Sequence, residues 1–490
     1  MAQPPDVRKG VPMPVRRLRR PGPAAERLDP AFAALRAELV APADFPAPVE
    51  AEAQAAATAA PAAVTPERLD ATDVPFVTID PAGSMDLDQA LHVERRDSGW
   101  RVYYAIADVA AFVRPGGELD SESHRRGETL YSPDVRTPLY PAVLSEGAAS
   151  LLPDQLRPAL LWTLDLDHRA DLAVTDVRRA WVRSRGQLTY AGVQGSLGAD
   201  GAPEVLQLLR EVGKVRQARA RERGAVDLGL SEQEVVADPA VGWRLEFRAA
   251  LPVEGWNAQI SLLTGMAAAR LMLAARVGVL RTLPPPDRAT IESLRRSALA
   301  LGVDWPPGRA YAEVVSSLDA TVPAHAALLE LATRLLRGAG YVAFDGAPPA
   351  QPEHSAVAAP YAHATAPLRR LVDRYVGEVC LAVCAGTPVP NWVRTALPGL
   401  PEEMAVADHR ARALDHAVVD LMEATVLAGA VGTTYDAVVV ETGKHGGEVQ
   451  LRDPAVRARC AGESLPLGRE VRVRLAEADP ATRRVSFSLA

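Results

Sequence analysis

Apolar and polar positions change texture three times along the chain. Between residues 28 and 62, Phe32, Leu35 and Leu39 recur at helical spacing and an Ala-rich run ends at Pro61, so short helices are predicted and strands are not. From Val74 the period shortens. VPFVTID, QALHVE and WRVYYAIADVAAFV read as strands, the last two joined through the turn Asp97-Ser98-Gly99. A mixed body continues to about residue 390, with helical patterning over 203–222, 257–277, 289–301 and 322–337. A charged helix near 402–429 then leads into YDAVVVE, GEVQL, REVRVRL and RRVSFSL, split by Gly, Asp and Pro turns. Several short strands in so small a block predict a closed barrel of OB type. The predicted organisation is a basic arm and short helical extension over 1–70, an α/β body over 71–390, a helical linker over 391–429 and an OB-type β-barrel over 430–490.

Composition narrows the class. At 48% hydrophobic and 23% charged residues the chain has material for more than one core. No run is as long and as uninterruptedly apolar as a bilayer demands, and the basic N-terminus lacks the apolar segment of a secretory signal. Cys380, Cys384 and Cys460 are too few for a disulfide framework and wrongly spaced for zinc, which places the chain in a reducing compartment, the cytoplasm. The net charge of −7 gives no global attraction for a polyanion, although a channel can be locally basic. Only three of the 54 basic residues are lysine (Lys9, Lys214, Lys444), a bias that codon usage explains better than phosphate binding does. Arg8, Lys9, Arg16, Arg17, Arg19 and Arg20 face a single acid, Asp6, and read as a disordered arm able to touch phosphates or merely to solubilise.

The segment Thr78-Ile79-Asp80-Pro81-Ala82-Gly83-Ser84-Met85-Asp86-Leu87-Asp88-Gln89-Ala90 carries the candidate chemistry. Asp86 and Asp88, two apart, face one side of an extended chain. Asp80 ends a strand, and the following turn can fold it toward the pair. Converging carboxylates repel unless a cation lies between them, and hard oxygen ligands without His or Cys favour magnesium or manganese. A bare D-x-D is usually a solvated turn, and it also occurs in nucleotide-sugar transferases. A calcium loop starting at Asp80 fails because its twelfth position is Leu91.

TIDPAGSMDLDQAL resembles the signature of the ribonuclease II / ribonuclease R family, the RNB exoribonucleases. The resemblance continues in order through Ile106-Ala107-Asp108-Val109, Leu119-Asp120 to Arg126-Gly127 and Tyr131, Pro141 to Leu152, Gln187-Leu188-Thr189-Tyr190, Arg223-Gly224-Ala225-Val226-Asp227, and Tyr361-Ala362-His363-Ala364-Thr365-Ala366-Pro367-Leu368-Arg369-Arg370. It implies hydrolytic, stepwise release of 5′-mononucleotides from the 3′ end of single-stranded RNA. Asp80, Asp86, Asp88 and Gln89 would stand at the metal positions, holding Mg²⁺ with Mn²⁺ as a substitute. Asp88, Tyr190 and Arg369 would be the catalytic set, Tyr190 beside the scissile phosphate and Arg369 on the terminal phosphate. Tyr131 and Arg370 would bind RNA, and His363 would be a structural hydrogen-bonder. A monomer without nucleotide cofactor or membrane is expected.

Departures bear on rate. Gln89 stands where the family usually has an acid, Asn257-Ala258-Gln259 replaces glutamates that open a helix, and Leu228 replaces an aromatic. About 70 residues before the body leave no room for the two cold-shock barrels that family members often carry. The barrel's aromatic supply is thin, Tyr435 and Phe487. Two rivals follow: an RNA-binding protein of the same fold with impaired catalysis, and a D-x-D nucleotide-sugar transferase.

Overall fold

The computed structural model describes residues 16–18, 29–39, 41, 44–60 and 65–490, less positions 200, 231, 239–241, 321, 444 and 452. Most of the basic arm therefore lies outside the described residues. Its stretch Arg16–Leu18 pairs in parallel with Gln233–Val235, so that part belongs to a sheet and not to a free arm.

The body is built on strands β1 (Phe76–Asp80), β2 (Gln89–Arg96), β3 (Gly99–Ala107), β4 (Leu156–Leu166) and β5 (Leu172–Thr189). β5 is 18 residues long and serves two neighbours. Its first part runs antiparallel to β4, and its last residues, from Ser184, run parallel to β1. The order β5-β1-β2-β3-β4, with β4 returning to β5, closes the sheet on itself. Burial is mixed along β5 but nearly continuous along β3 and β4, whose Tyr104, Ile106, Trp162 and Leu164 fill the interior.

Helices α1 (Glu118–Arg126), α2 (Tyr190–Gly198), α3 (Glu204–Arg223), α4 (Pro252–Ala275), α5 (Leu371–Ala385) and α6 (Leu400–Leu427) pack around this sheet. Their ends are written in the sequence. Thr189 caps α2 by accepting from the Gly192 N–H at 3.1 Å. Gly224 and Gly386 end α3 and α5 in left-handed conformation at φ 85° and 65°. By length and composition α4 could cross a membrane, yet here Val253, Ile260, Leu263, Ala267, Ala268 and Met272 are buried in the core. Close approach dictates Gly265 on α4, where a Cβ would lie 2.2 Å from the Tyr361 ring. The Gly265 carbonyl accepts from the Ala362 N–H at 3.1 Å, so α4 seats the chain that leads to Arg369.

The C-terminal strands β6 (Thr434–Gly443), β7 (Gly446–Leu451), β8 (Arg457–Ala461), β9 (Glu470–Asp479) and β10 (Arg484–Leu489) form a closed barrel. β8 was missed in the sequence because RARC shows little apolar alternation. Phe487 is 1% exposed and packs edge-on against Tyr435, so it is core and not a base-stacking surface. α6 joins the parts: Leu400 and Met404 belong to the body's core, while Leu414, Val418 and Met422 share a second core with the barrel and with the helix Asp29–Glu38.

Candidate active site

The parallel pairing of β1 with β5 sets Asp80 opposite Thr189, so Asp80 and the following Tyr190 end at the same edge of the sheet. Residues 81–88 then cross this edge as a loop before β2 begins at Gln89. The loop is pinned at several points. Gln187 Nε2 donates to the Ser84 carbonyl at 2.6 Å. Ser150, fully buried, donates to the Met85 carbonyl at 2.6 Å and accepts from the Leu87 N–H at 2.9 Å. The Ala107 N–H reaches the Asp88 carbonyl at 2.9 Å. Without these bonds, three acids in a Gly- and Ser-containing turn would point into water.

Asp88 is 2% exposed. Its Oδ1 accepts from the Leu368 N–H at 2.7 Å and its Oδ2 from Arg369 Nε at 2.7 Å, bringing together residues 281 positions apart. Asp86 pairs with Arg136, which also grips Glu146. Asp80 Oδ2 is buried without a hydrogen-bond partner. Burial pushes the Asp80 acid up to about 7, with Asp88 and Asp86 adding to the rise and Arg369 opposing it. Burial likewise raises Asp88 to about 6 against the pull of Arg369.

The remaining sequence-derived residues fall in different places. Tyr190 opens α2, and Asn257 Nδ2 donates to its hydroxyl at 3.4 Å. Tyr131, 38% exposed, sits opposite Arg136 on the hairpin formed by Leu130–Tyr131 and Arg136–Thr137. Gln89 requires a correction. Its Oε1 accepts from the Tyr104 hydroxyl and from Ser261 Oγ, the latter at 3.2 Å, and these two hydroxyls lie 2.8 Å apart. Both lone-pair directions of the amide oxygen are taken, so it is not placed as a metal ligand. Burial holds the Tyr104 phenol well above its ordinary range, so it stays a neutral donor. Arg370 Nε and Nη2 bond Asp373 at 2.9 and 2.8 Å, which ties the loop to α5. His363 Nδ1 meets the Tyr341 hydroxyl at 2.7 Å, and burial keeps the imidazole far below its usual pKa.

An unpaired buried carboxylate oxygen with two more acids at its side is a donor set for a hard divalent cation. Among the described residues no three acidic, His or Cys groups already converge at ligand distance, since Asp86 and Asp88 are turned to their arginines. Asp80, with Asp86 and Asp88 at its side, would hold such a cation. Sequence reasoning did not find Arg136, Tyr104, Ser261, Ser150 or the Leu368 N–H. A backbone donor leaves no sequence trace, Tyr104 and Ser261 lie outside the matching motifs, and Ser150 lies in the Pro141 to Leu152 stretch without a role the sequence assigns.

The closed sheet with the acid loop at its edge and the small C-terminal barrel define a two-part architecture. The RNB domain family matches residues 68–385, and the RNase II-type exonuclease C-terminal S1 domain matches residues 433–490. The chain belongs to the RNB family. Ribonuclease R of Escherichia coli is 27% identical over 473 residues, covering 86% of this chain and 57% of the relative, so the chain spans little more than half that protein's length. Mycoplasma genitalium RNase R, solved in complex with ribose-methylated single-stranded RNA, superposes with a TM-score of 0.83 at 18% identity, covering 94% of this chain and 78% of that one. Yeast Ssd1, a pseudonuclease, superposes at 0.66 and 18% identity, covering 86% of this chain and 53% of that one.

Proposed function

We propose that this chain is a 3′-to-5′ exoribonuclease that hydrolyses single-stranded RNA to 5′-mononucleotides, works as a monomer and uses magnesium, with manganese as a substitute. One observation carries the reading: Asp80, Asp86 and Asp88 meet Arg369, from the far end of the RNB-matched region, at one pinned, largely buried site. A divalent cation bound there supplies positive charge at the phosphate and lowers the pKa of a water. Arg369, already aimed by Asp88, stands ready to bond a phosphoryl oxygen as negative charge builds on it. Tyr190, steadied by Asn257, borders the same edge and orients the phosphate, while Tyr131 offers a ring face to a base. RNA with free and with blocked 3′ ends, incubated with magnesium or chelator and resolved by product length, tests this. Mononucleotide release from the free end alone, abolished by chelator, is expected; shortening of the blocked RNA overturns it.

A second reading has one observation in its favour. The neutral Gln89–Tyr104–Ser261 cluster stands where a fourth acid was expected, which suits an RNA-binding protein of this fold with little turnover, as the pseudonuclease relative illustrates. Tight RNA binding without magnesium-dependent product in the same assay would establish it. The nucleotide-sugar reading has no support in an RNB domain.

A further inference from the structure

The helix Asp29–Glu38 lies outside the RNB-matched residues and yet ends beside the site. Arg36, 9% exposed, sends Nη1 to Ser132 Oγ at 2.8 Å and to Asp134 Oδ1 at 2.6 Å. Both acceptors are at the tip of the Leu130–Thr137 hairpin, whose own strands are two residues each. Ribbons this short are not stable alone. The base of the hairpin is zipped to the Arg369 loop: the Thr129 N–H donates to the Arg369 carbonyl at 2.9 Å, and Glu128 bridges to Arg370. Between base and tip stand the cross-strand partners Tyr131 and Arg136, and Arg136 holds Asp86.

The mount is firm. Phe32 meets Trp243 edge-on at 5.8 Å between centroids, and Glu38 pairs with Arg483 of the barrel at 3.0 Å. The Asp134 side chain is only 8% exposed, so Arg36 and Asp134 form a largely desolvated ion pair, the kind whose breakage is costly.

We propose that Arg36 is a positioning residue for the reaction: it tethers the hairpin tip so that Arg136 stays on Asp86 and Tyr131 stays at the mouth of the site. The kinetic part of this proposal rests on the exoribonuclease reading; the structural part does not. The full chain is compared with R36A, R36K, D134N, R136A and R36A/R136A. Hydrogen exchange is read over residues 130–137 and over the central sheet, and turnover on single-stranded RNA is split into kcat and KM. R36A and D134N should speed exchange in the hairpin and leave the sheet protected. R36A should lower kcat about tenfold with KM within about twofold, R36K should recover part of the loss, and R36A should cost clearly less in the R136A background than in the parent. An unchanged hairpin in both R36A and D134N overturns the proposal, as do losses that multiply in the double variant. If R36A fails to fold, D134N carries the same readings. A parent chain without turnover overturns the exoribonuclease reading and with it the kinetic part, whereas a protected hairpin beside an active parent overturns this proposal alone.

Discussion

Asp88 is anchored on both oxygens, by Arg369 Nε and the Leu368 N–H. Asp88→Asn keeps the shape, removes the charge that aims Arg369 and sets an amide N–H₂ against one of these donors. Turnover should fall by at least about a hundredfold, as for loss of a transition-state contact. RNA affinity should hold or rise, because a carboxylate facing phosphates is gone. Turnover within a few-fold of the parent would remove Asp88 from the mechanism. At Gln89 the oxygen is saturated by Tyr104 and Ser261. Gln89→Asp should therefore leave the half-saturating magnesium concentration within about twofold, and adding Tyr104→Phe should lower it by freeing the carboxylate. A magnesium titration of the three proteins decides; a drop in the single variant would show that this position already reaches the cation. The raised acids give a pH dependence. Asp80 and Asp88 titrate near 7 and 6 folded against an ordinary 3.8, so the folded chain without cation holds these protons more tightly than the unfolded one. Their contribution to stability is greatest below about pH 4 and is lost as pH climbs to about 7. Activity should run the opposite way, rising as Asp80 ionises, and more magnesium should move that limb to lower pH. A limb indifferent to magnesium would separate Asp80 from the cation.

Helices α3, α4 and α6 and the strands from Val74 to Val113 show in the sequence through periodicity, while α2 and α5 are not among the predicted segments. β5 does not show either, because its length and two-neighbour pairing depend on β1 and β4 closing the sheet, which no local window contains. The acid loop was legible as a motif, while its rigidity was not: the bonds from Ser150 and Gln187 arrive from 65 and 103 positions away. Ser150→Ala removes both bonds that flank Asp86. It should cost roughly 1–3 kcal/mol and lower Tm by a few degrees, but it should reduce turnover by more than Tm predicts, because the acids lose register. Equal, modest changes in both would show that the loop holds its shape without Ser150. Arg369 was reached from sequence only through its Pro-Leu-Arg-Arg motif, whereas Arg136 and Arg36, without motifs, needed coordinates.

At the scale of the molecule, α6 is shared property of body and barrel. Deleting 430–490 would expose Leu414, Val418, Leu421 and Met422 to water, so loss of solubility and of Tm is expected, with activity falling alike on short and long RNA. Charge reversal at exposed Arg472 and Arg474 of the intact barrel should instead weaken RNA of about thirty nucleotides and spare RNA of about five. Comparing the two variants on both lengths checks this, and equal effects of the charge reversal would limit the barrel to a structural role. The span of 281 positions between Asp88 and Arg369 has a consequence in time. Synthesis runs from the N-terminus, at about 5–20 residues per second. The acids leave the ribosome many seconds before the arginine that completes their site, and α5, which clamps Arg370, follows it. During that interval the nascent chain carries the buried acids of the site without the arginine that neutralises and aims against them.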